Sequence, residues 1–257
     1  MSHARELDGR VVIVFGAGSS GTTLSNGEAA ALAYARAGAA VAAVDRSADE
    51  AQRVAKAIGD AGGTGFAVTA DVTREADVAA AVASVRHELG TPDVLHNNVG
   101  DPAPGAVPDL GLDDWNAALT VNLTSAYLTC HHTLPHMLAA GHGVVVNVSS
   151  VAGIRDTGYV YPAYSAAKAG VNQLTVSIAL TYAARGIRAN AILPGLIDTP
   201  MGGGLNDRAA RDARSPTGRM GSPHDVAGVA VFLASDRAAY VNGVCLPVDG
   251  GLTARCA

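Results

Sequence analysis

The chain has 257 residues, of which 49% are hydrophobic, 16% are charged and only 4% are aromatic. This length is enough for one α/β domain with a substantial buried core. The formal net charge is −5 and no run of Lys or Arg forms a basic stripe. Nucleic-acid binding is not expected, because the neutralisation of phosphates needs concentrated cationic charge.

The three cysteines (Cys130, Cys245 and Cys256) are scattered and show no metal-ligand spacing, so no metal site is predicted. An odd number of cysteines fits a reducing compartment better than a disulfide framework. The N-terminal segment lacks the apolar core of a signal peptide, and no uninterrupted apolar span reaches ~18 residues. We therefore expect a cytoplasmic protein without a membrane partner.

Short apolar runs alternate along the chain with longer Ala-rich helical segments. Most of these runs are apolar on both faces, as parallel strands covered by helices must be. The alternation predicts one α/β domain over 1–257, a doubly wound, Rossmann-like parallel sheet of seven strands. Its cofactor half spans about 1–150 and its catalytic half about 151–257. The predicted strands are 11–15, 39–45, 65–71, 93–98, 143–149, 187–193 and 244–249, and the clearest helices are 28–38, 77–90 and 163–186.

A glycine-rich stretch, GAGSSGTTLSNG at residues 16–27, follows the first predicted strand. Its first six residues match the G-x-G-x-x-G spacing of a dinucleotide-binding loop. The first good helix former begins only after Gly27, however, and Ser25 or Asn26 would cap that helix. The alternative is a plain strand-to-helix loop. The candidate cofactor-binding residues here are Gly16, Ser19, Ser20, Gly21 and Gly27.

The second predicted strand ends in Asp45, which favours the nucleotide interpretation. An acidic side chain at this place accepts hydrogen bonds from an adenosine ribose and would repel a 2′-phosphate. Asp45 therefore predicts NAD as the cofactor, with NADP as the less favoured alternative. Arg46 follows directly and would either pair with a 2′-phosphate or, as we favour, remain a solvated charge.

Tyr164 and Lys168 stand four residues apart at the start of the predicted helix 163–186, and hence on one helical face. A nearby ammonium favours tyrosinate, which suits a general acid/base. The chain contains only two lysines among its 18 basic residues, so a generic surface cation here would nearly always be arginine. Chance spacing is the alternative.

Two more polar residues are candidates for the catalytic site. Ser150 ends the predicted strand 143–149, where a hydroxyl is placed to hydrogen-bond a substrate oxygen, although serines often end strands. Asn122 lies among apolar residues of a helical stretch, and a buried amide with its hydrogen bonds satisfied is an equal alternative.

Together these residues resemble the short-chain dehydrogenase/reductase family over essentially the whole chain. Their order and spacing agree with that family, whereas the glycine-rich loop alone is a weak signal. The pieces that carry the resemblance are the loop at 16–27, Asp45, ADV at 70–72, NNVG at 97–100, Asn122, Ser150, the Tyr164/Lys168 pair, PGLIDTP at 194–200 and VDGG at 248–251.

The resemblance implies a role for each matching position. Tyr164 would be the acid/base, and Lys168 would lower its pKa and hold the nicotinamide ribose. Ser150 would orient the substrate oxygen, and Asn122 would fix a water that links Lys168 to solvent. The remaining matches imply contacts with adenine for Asp71 and Val72, with the adenosine ribose for the backbone of Asn98–Gly100, and with the carboxamide for Ile197 and Thr199. The family also implies a homotetramer.

The chain departs from the family pattern in its loop. Phe15 stands where Thr is usual, Ser20 and Thr22 stand where glycines are usual, and Val99 replaces Ala. Alignment of the helix instead places the last glycine at Gly27, which is an insertion of five residues. The contacts of the loop with a pyrophosphate are therefore the least defined part of the prediction.

The predicted function is the NAD-dependent interconversion of a small-molecule secondary alcohol and a ketone. The alternatives are a non-catalytic, redox-sensing dinucleotide-binding protein, an NADP-dependent carbonyl reductase, and a nucleotide-sugar epimerase or dehydratase. Loops 101–109 and 154–162 and a lid over about 200–222 are expected to contact the substrate. Four lid arginines would suit an anionic substrate, but neighbouring aspartates favour a solvated lid with a hinge at glycines 202–204.

Overall fold

A computed structural model describes residues 5–19, 21, 23–202 and 208–255. Within them, the seven predicted strands are confirmed with ends that shift by at most two residues. All pairs are parallel, in the order β3-β2-β1-β4-β5-β6-β7. The strands are β1 (Val11–Phe15), β2 (Ala40–Asp45), β3 (Thr64–Thr69), β4 (Val94–Asn97), β5 (Gly143–Val148), β6 (Ile187–Pro194) and β7 (Cys245–Val248).

Helices connect the strands and cover both faces of the sheet. A π-helical turn at Thr120–Thr124 joins the fourth helix to the fifth. The helices are α1 (Asn26–Arg36), α2 (Ala48–Asp60), α3 (Glu75–Glu88), α4 (Leu112–Leu119), α5 (Ser125–Ala140), α6 (Pro162–Tyr182), α7 (Arg208–Arg214) and α8 (Pro223–Ala234).

The alternation of side chains along β1 divides the core into two layers. Val12 and Val14 pack with residues of α1 and α8 on one face of the sheet. Ile13 and Phe15 pack with residues of α3, α5 and α6 on the other. Because β1 is buried on both faces, it has to be apolar throughout, as its sequence is. The doubly wound prediction is confirmed.

The sheet order reverses between β1 and β4, and the loops that follow their carboxyl ends meet there. In an open parallel sheet, such a crevice is where ligands bind. The functional candidates from the sequence follow the ends of β1 to β6. Among the described residues, no helix is both long and apolar enough to cross a membrane.

Candidate active site

The glycine-rich loop closes between Gly16 and Gly27. A Cβ on Gly27 would lie 1.9 Å from the Gly16 carbonyl oxygen, which also accepts a hydrogen bond from Asn98 Nδ2 at 3.0 Å. Helix α1 begins at Asn26, slightly earlier than predicted, and Ser25 is its N-cap. Gly27 therefore lies inside the first helical turn, where the helix touches the end of β1.

The inserted residues bond to the loop itself. Ser25 Oγ donates to the Gly18 carbonyl at 2.7 Å and accepts from the Glu28 amide at 3.0 Å. Ser19 Oγ donates to the Thr23 carbonyl at 2.7 Å. One helix cap and two bonds within the loop thus hold Thr23 and Ser25 against the first half of the loop and the start of α1. Ser20, a predicted cofactor-binding residue, lies outside the described residues.

Two carboxylates from the end of β2 and from α2 hold the first half of the loop. Asp45 Oδ2 accepts from the Gly18 amide at 2.9 Å, and its Oδ1 accepts from the Ser47 amide at 3.0 Å. Glu50 Oε2 accepts from the Ser19 amide at 2.8 Å. Position 18 must be glycine, since a Cβ there would come within 2.6 Å of Glu50 Cβ. Glu50 has no signal in the sequence and was missed.

Arg53 links Glu50 to the helix that follows the loop. Its guanidinium forms a bidentate pair with the buried carboxylate of Glu28 at 2.7 and 2.8 Å and also contacts Glu50 at 2.9 Å. Its hydrogen bonds, with that of the Ser19 amide, lower the pKa of Glu50. The loop is thus held by an acid–base–acid network that spans α1 and α2.

The predicted adenine contacts lie after β3. Asp71 Oδ1 accepts from both the amide and the hydroxyl of Thr73, at 2.9 and 2.7 Å, and these bonds lower its pKa. Val72 is buried, whereas Arg46 is exposed and close enough to contribute to the lowered pKa of Asp71. The ends of β2 and β3 therefore bring Asp45, Arg46, Asp71 and Val72 to one edge of the sheet.

Gly100 lies between the residues predicted to bind the cofactor and those predicted to be catalytic. A Cβ at this position would lie 3.1 Å from Asn122 Oδ1 and 3.2 Å from Lys168 Nζ. Asn98, two residues earlier, is the side chain that holds the Gly16 carbonyl. The missing side chain at Gly100 leaves room beside the ammonium, which fits a bound ribose. The row from Gly16 to Lys168 thus suits an extended dinucleotide.

Asn122 lies in the π-helical turn and is buried, and the structure decides how its side chain is used. Its Nδ2 donates to the carbonyls of Asp101 and Ala118, each at 2.9 Å, and its Oδ1 accepts from the Asp101 amide at 3.0 Å. The side chain therefore fastens the loop after β4, as a satisfied buried amide does. A π-turn also loosens the regular backbone pairing of the helix at this point.

Tyr164 and Lys168 are buried on the first two turns of α6, and Ser150 follows β5. Lys168 Nζ lies 5.6 Å from the centre of the Tyr164 ring and donates to the Val148 carbonyl at 3.0 Å. Burial raises the pKa of Tyr164 to about 12, opposed by a hydrogen bond with Ser150. Burial likewise lowers the pKa of Lys168 to about 8. Burial is the largest influence on Tyr164, and the lowering of its pKa by Lys168 stays a prediction.

The segment after β6 joins the site to the lid. Ile197 is buried and forms an isolated parallel bridge with Gly221, while the Asp198 amide donates to the Gly221 carbonyl at 2.9 Å. The Thr199 amide donates to the Ile197 carbonyl at 3.0 Å. The two predicted carboxamide contacts are therefore fixed in a short turn. Part of the predicted glycine hinge, residues 203 and 204, lies outside the described residues.

One group of side chains bears on the prediction that no metal is bound. The possible ligand atoms of Glu75, His131 and His132 lie within 4.8 Å of one another. Glu75 and His131 are exposed, and His132 Nε2 is 3.4 Å from Glu75 Oε1. The absence of a metal stays a prediction.

A sequence-family model described as enoyl-(acyl carrier protein) reductase matches residues 21–253. The cis-4-hydroxycyclohexanecarboxylate dehydrogenase of Sinomonas cyclohexanicum is 45% identical over 248 residues, which cover 95% of this chain and 97% of that protein. The chain belongs to the short-chain dehydrogenase/reductase family. This confirms the resemblance found in the sequence.

Solved structures agree with this family assignment. A protein assigned as a short-chain dehydrogenase/reductase from Burkholderia xenovorans is similar with a TM-score of 0.95 and 42% identity, covering 99% of this chain and 100% of that one. A protein assigned as an NAD(P)-dependent gluconate 5-dehydrogenase from Beutenbergia cavernae, with NADP bound at low occupancy, has a TM-score of 0.90 and 38% identity, covering 98% and 100%. This short-chain dehydrogenase/reductase is an NAD(P)-dependent oxidoreductase that acts on CH–OH groups.

Proposed function

We propose that the enzyme oxidises a small secondary alcohol to a ketone with NAD, with Tyr164 as the acid/base. The observation that carries this proposal is the buried Tyr164/Lys168 pair on one face of α6, beside Ser150 at the end of β5. These three side chains lie where the carboxyl end of the sheet offers a crevice to a ligand. A non-catalytic dinucleotide-binding protein would have no use for this pair.

The nicotinamide, when bound, supplies the hydride acceptor, and the protein supplies orientation and a path for the proton. Tyr164 takes the hydroxyl proton of the alcohol as the carbinol carbon loses its hydride. Ser150 hydrogen-bonds the same oxygen and holds it against Tyr164. Lys168 stabilises the tyrosinate electrostatically and, beside Gly100, holds the ribose. A tyrosine with a pKa near 12 needs that help to act as a base at neutral pH.

The role that we propose for Asn122 belongs to its backbone and not to its side chain. Its amide group is used on Asp101 and Ala118, so we propose that its backbone carbonyl, in the π-turn, holds the water that serves Lys168. A cavity with room for about one water is lined by both Asn122 and Lys168 and supports this role.

NAD is proposed over NADP because one carboxylate ends β2 and a second lies in the first turn of α2. Asp45 and Glu50 hold neighbouring amides of the loop, and a 2′-phosphate would meet both negative charges. Arg46 favours the alternative, an NADP-dependent carbonyl reductase, since it would pair with a 2′-phosphate. Steady-state assays with both cofactors test the choice: kcat/KM should be higher with NAD, and a marked preference for NADP would overturn the argument from Asp45.

A ring-bearing hydroxy acid is a suitable first substrate, because a relative at 45% identity is named for cis-4-hydroxycyclohexanecarboxylate. We propose the wider class of small secondary alcohols for this enzyme. A panel of cyclic and aliphatic secondary alcohols, assayed by the absorbance of the NADH formed, shows which alcohols the enzyme oxidises.

Replacement of Tyr164 by Phe is the direct test of the mechanism. Turnover should fall by at least about 10³-fold, while NAD binds with nearly unchanged affinity, because the proton acceptor alone is lost. Tyr240→Phe is the matched control, since Tyr240 is fully exposed and should keep normal rates. Normal turnover by Tyr164→Phe would show that the mechanism is wrong. A wild-type protein that binds NAD but oxidises no alcohol would favour the non-catalytic alternative.

We also propose the homotetramer that the family suggests. Tyr127 on α5 and Leu180 on α6 are 50% and 75% exposed, which is unusual for large apolar side chains and suits a subunit contact. Light scattering measures the assembly, and Leu180→Glu should dissociate it. A monomeric wild-type protein would contradict the proposal.

A further inference from the structure

The lid carries several arginines, and their partners separate them into two kinds. Arg208 pairs with Asp198 at 2.6 Å and approaches Asp212 at 3.9 Å. Arg219 pairs with Asp225 at 3.2 Å. Both are mostly exposed, as solvated surface ion pairs are. These two arginines fit the solvated lid that the sequence suggests.

Arg214, the last residue of α7, is of the second kind. Its guanidinium carbon lies 4.9 Å from the centre of the Tyr159 ring, and its Nη2 donates to the Thr157 carbonyl oxygen. No carboxylate among the described residues lies within ion-pair distance of it, and the nearby Asp156 instead accepts from the Gly158 amide at 2.8 Å. Arg214 therefore brings a half-buried positive charge to the loop at 154–162, and no described carboxylate of the chain pairs with it.

A row of tyrosines leads from Arg214 to the catalytic centre. Tyr159 stacks on Tyr161 with ring centres 5.7 Å apart, and Tyr161 meets Tyr164 edge to face at 5.2 Å. The Tyr161 hydroxyl lies 2.6 Å from Thr157 Oγ1. Burial raises the pKa of Tyr161, and the nearby charge of Arg214 opposes that rise. The cation and the acid/base thus stand at opposite ends of one aromatic wall.

The rim of this wall is apolar. Ile154 and Val160, in the same loop as Tyr159 and Tyr161, are 40% and 62% exposed, although side chains of this kind are usually buried. The Gly105 amide donates to the Val160 carbonyl at 3.0 Å, so the loops after β4 and β5 meet here. Such a surface suits a ligand with an apolar body between two polar ends.

We propose that Arg214 binds a carboxylate of the substrate, so that the enzyme acts on hydroxy acids whose hydroxyl and carboxylate are separated by an apolar body. The hydroxyl meets Tyr164 and Ser150, the body lies along Tyr159 and Tyr161, and the carboxylate pairs with the free edge of the guanidinium. A guanidinium on an aromatic face keeps its fork available for a carboxylate. This inference rests on the proposed function and names its substrate class.

The test compares an acid with its uncharged ester. Hydroxycyclohexanecarboxylate and its methyl ester are assayed with NAD on the wild type, Arg214→Gln and the control Arg219→Gln, which removes a lid arginine with a carboxylate partner. Arg214→Gln should lower kcat/KM for the acid by about 10- to 100-fold and for the ester by less than about threefold, because only the acid loses a charge-assisted bond. Arg219→Gln should change both little, and Arg214→Lys should restore part of the acid rate.

Equal losses of kcat/KM for the acid and the ester in Arg214→Gln would overturn the inference. Arg214 would then have only a structural role in the loop at 154–162. Calorimetric titration of the acid into the NADH-bound protein separates this outcome from a failure of the proposed function. If neither compound is oxidised, weaker acid binding by Arg214→Gln still supports the carboxylate site. Equal binding by the variant and the wild type would then overturn it.

Discussion

Alanine at position 27 probes the closure of the stretched loop. Its Cβ would lie 1.9 Å from the Gly16 carbonyl oxygen and 2.6 Å from Asn98 Nδ2, and both atoms are held by the hydrogen bond between them. The first turn of α1 must then move away from β1, or that bond must break. Helix propensity alone favours alanine by about 0.5–1 kcal/mol. Overpacking costs about 1–3 kcal/mol, so the expected net loss of unfolding free energy is about 1 kcal/mol and at most about 2.5 kcal/mol.

The assay combines urea unfolding with a titration of NAD, because the same movement displaces the loop amides. NAD should bind at least about tenfold more weakly, which corresponds to about 1.4 kcal/mol. Gly228→Ala is the matched control: this residue is exposed on α8 with no atom within 4 Å of the added Cβ. The control should be slightly stabilised. If Gly27→Ala were equally stable and bound NAD normally, the contact between helix and strand would not be as described.

Three further predictions concern single side chains. Asp45→Asn should raise the NADP-to-NAD ratio of kcat/KM about tenfold or more in steady-state assays, whereas exposed Asp49→Asn should not. Glu50→Gln should raise the KM for NAD severalfold with kcat nearly unchanged, since it weakens the hold on the loop and not the chemistry. Burial lowers the pKa of His96 to about 3, below its unfolded value of about 6.5, so the unfolded state alone takes up this proton as the pH falls. The unfolding free energy is measured by urea unfolding at pH 7 and pH 5.5, and His96 should lower it by up to about 1.4 kcal/mol for each pH unit of acidification. A Tyr34→Phe/His96→Leu double variant should lack this contribution to the fall.

The fold was predictable because its signals are local and repeated. Each strand is an apolar run with a clear end, and Ala-rich segments separate the runs, so the apolar pattern and the alternation of strands and helices predicted the strands and their parallel direction. The catalytic candidates were predictable for a similar reason. Tyr164 and Lys168 share one helix, and a spacing of four residues places them together whatever the rest of the chain does.

The loop and the lid were less predictable, since their contacts join residues that are far apart in sequence. Glu50 meets Ser19 across 31 residues, and Arg214 meets Thr157 across 57. A count of charges in the lid suggested that its aspartates neutralise its arginines. That count treats charges as interchangeable, whereas the folded lid pairs Arg208 and Arg219 and leaves Arg214 to an aromatic face.

Contacts between residues that are far apart in sequence matter most at the insertion in the glycine-rich loop. In a loop of the usual length, few residues separate the strand from the helix. The first turn of the helix then holds the backbone amides of the loop in place. Here α1 begins only at Asn26, so other groups have to hold the described loop residues that precede it. Asp45 and Glu50 do so from the side, and a Cβ on Gly21 would lie 3.2 Å from Pro200 at the start of the lid. The same carboxylates that hold the longer loop also set a negative field at its edge. We therefore expect the stabilisation of the insertion and the proposed preference for NAD to have one physical cause.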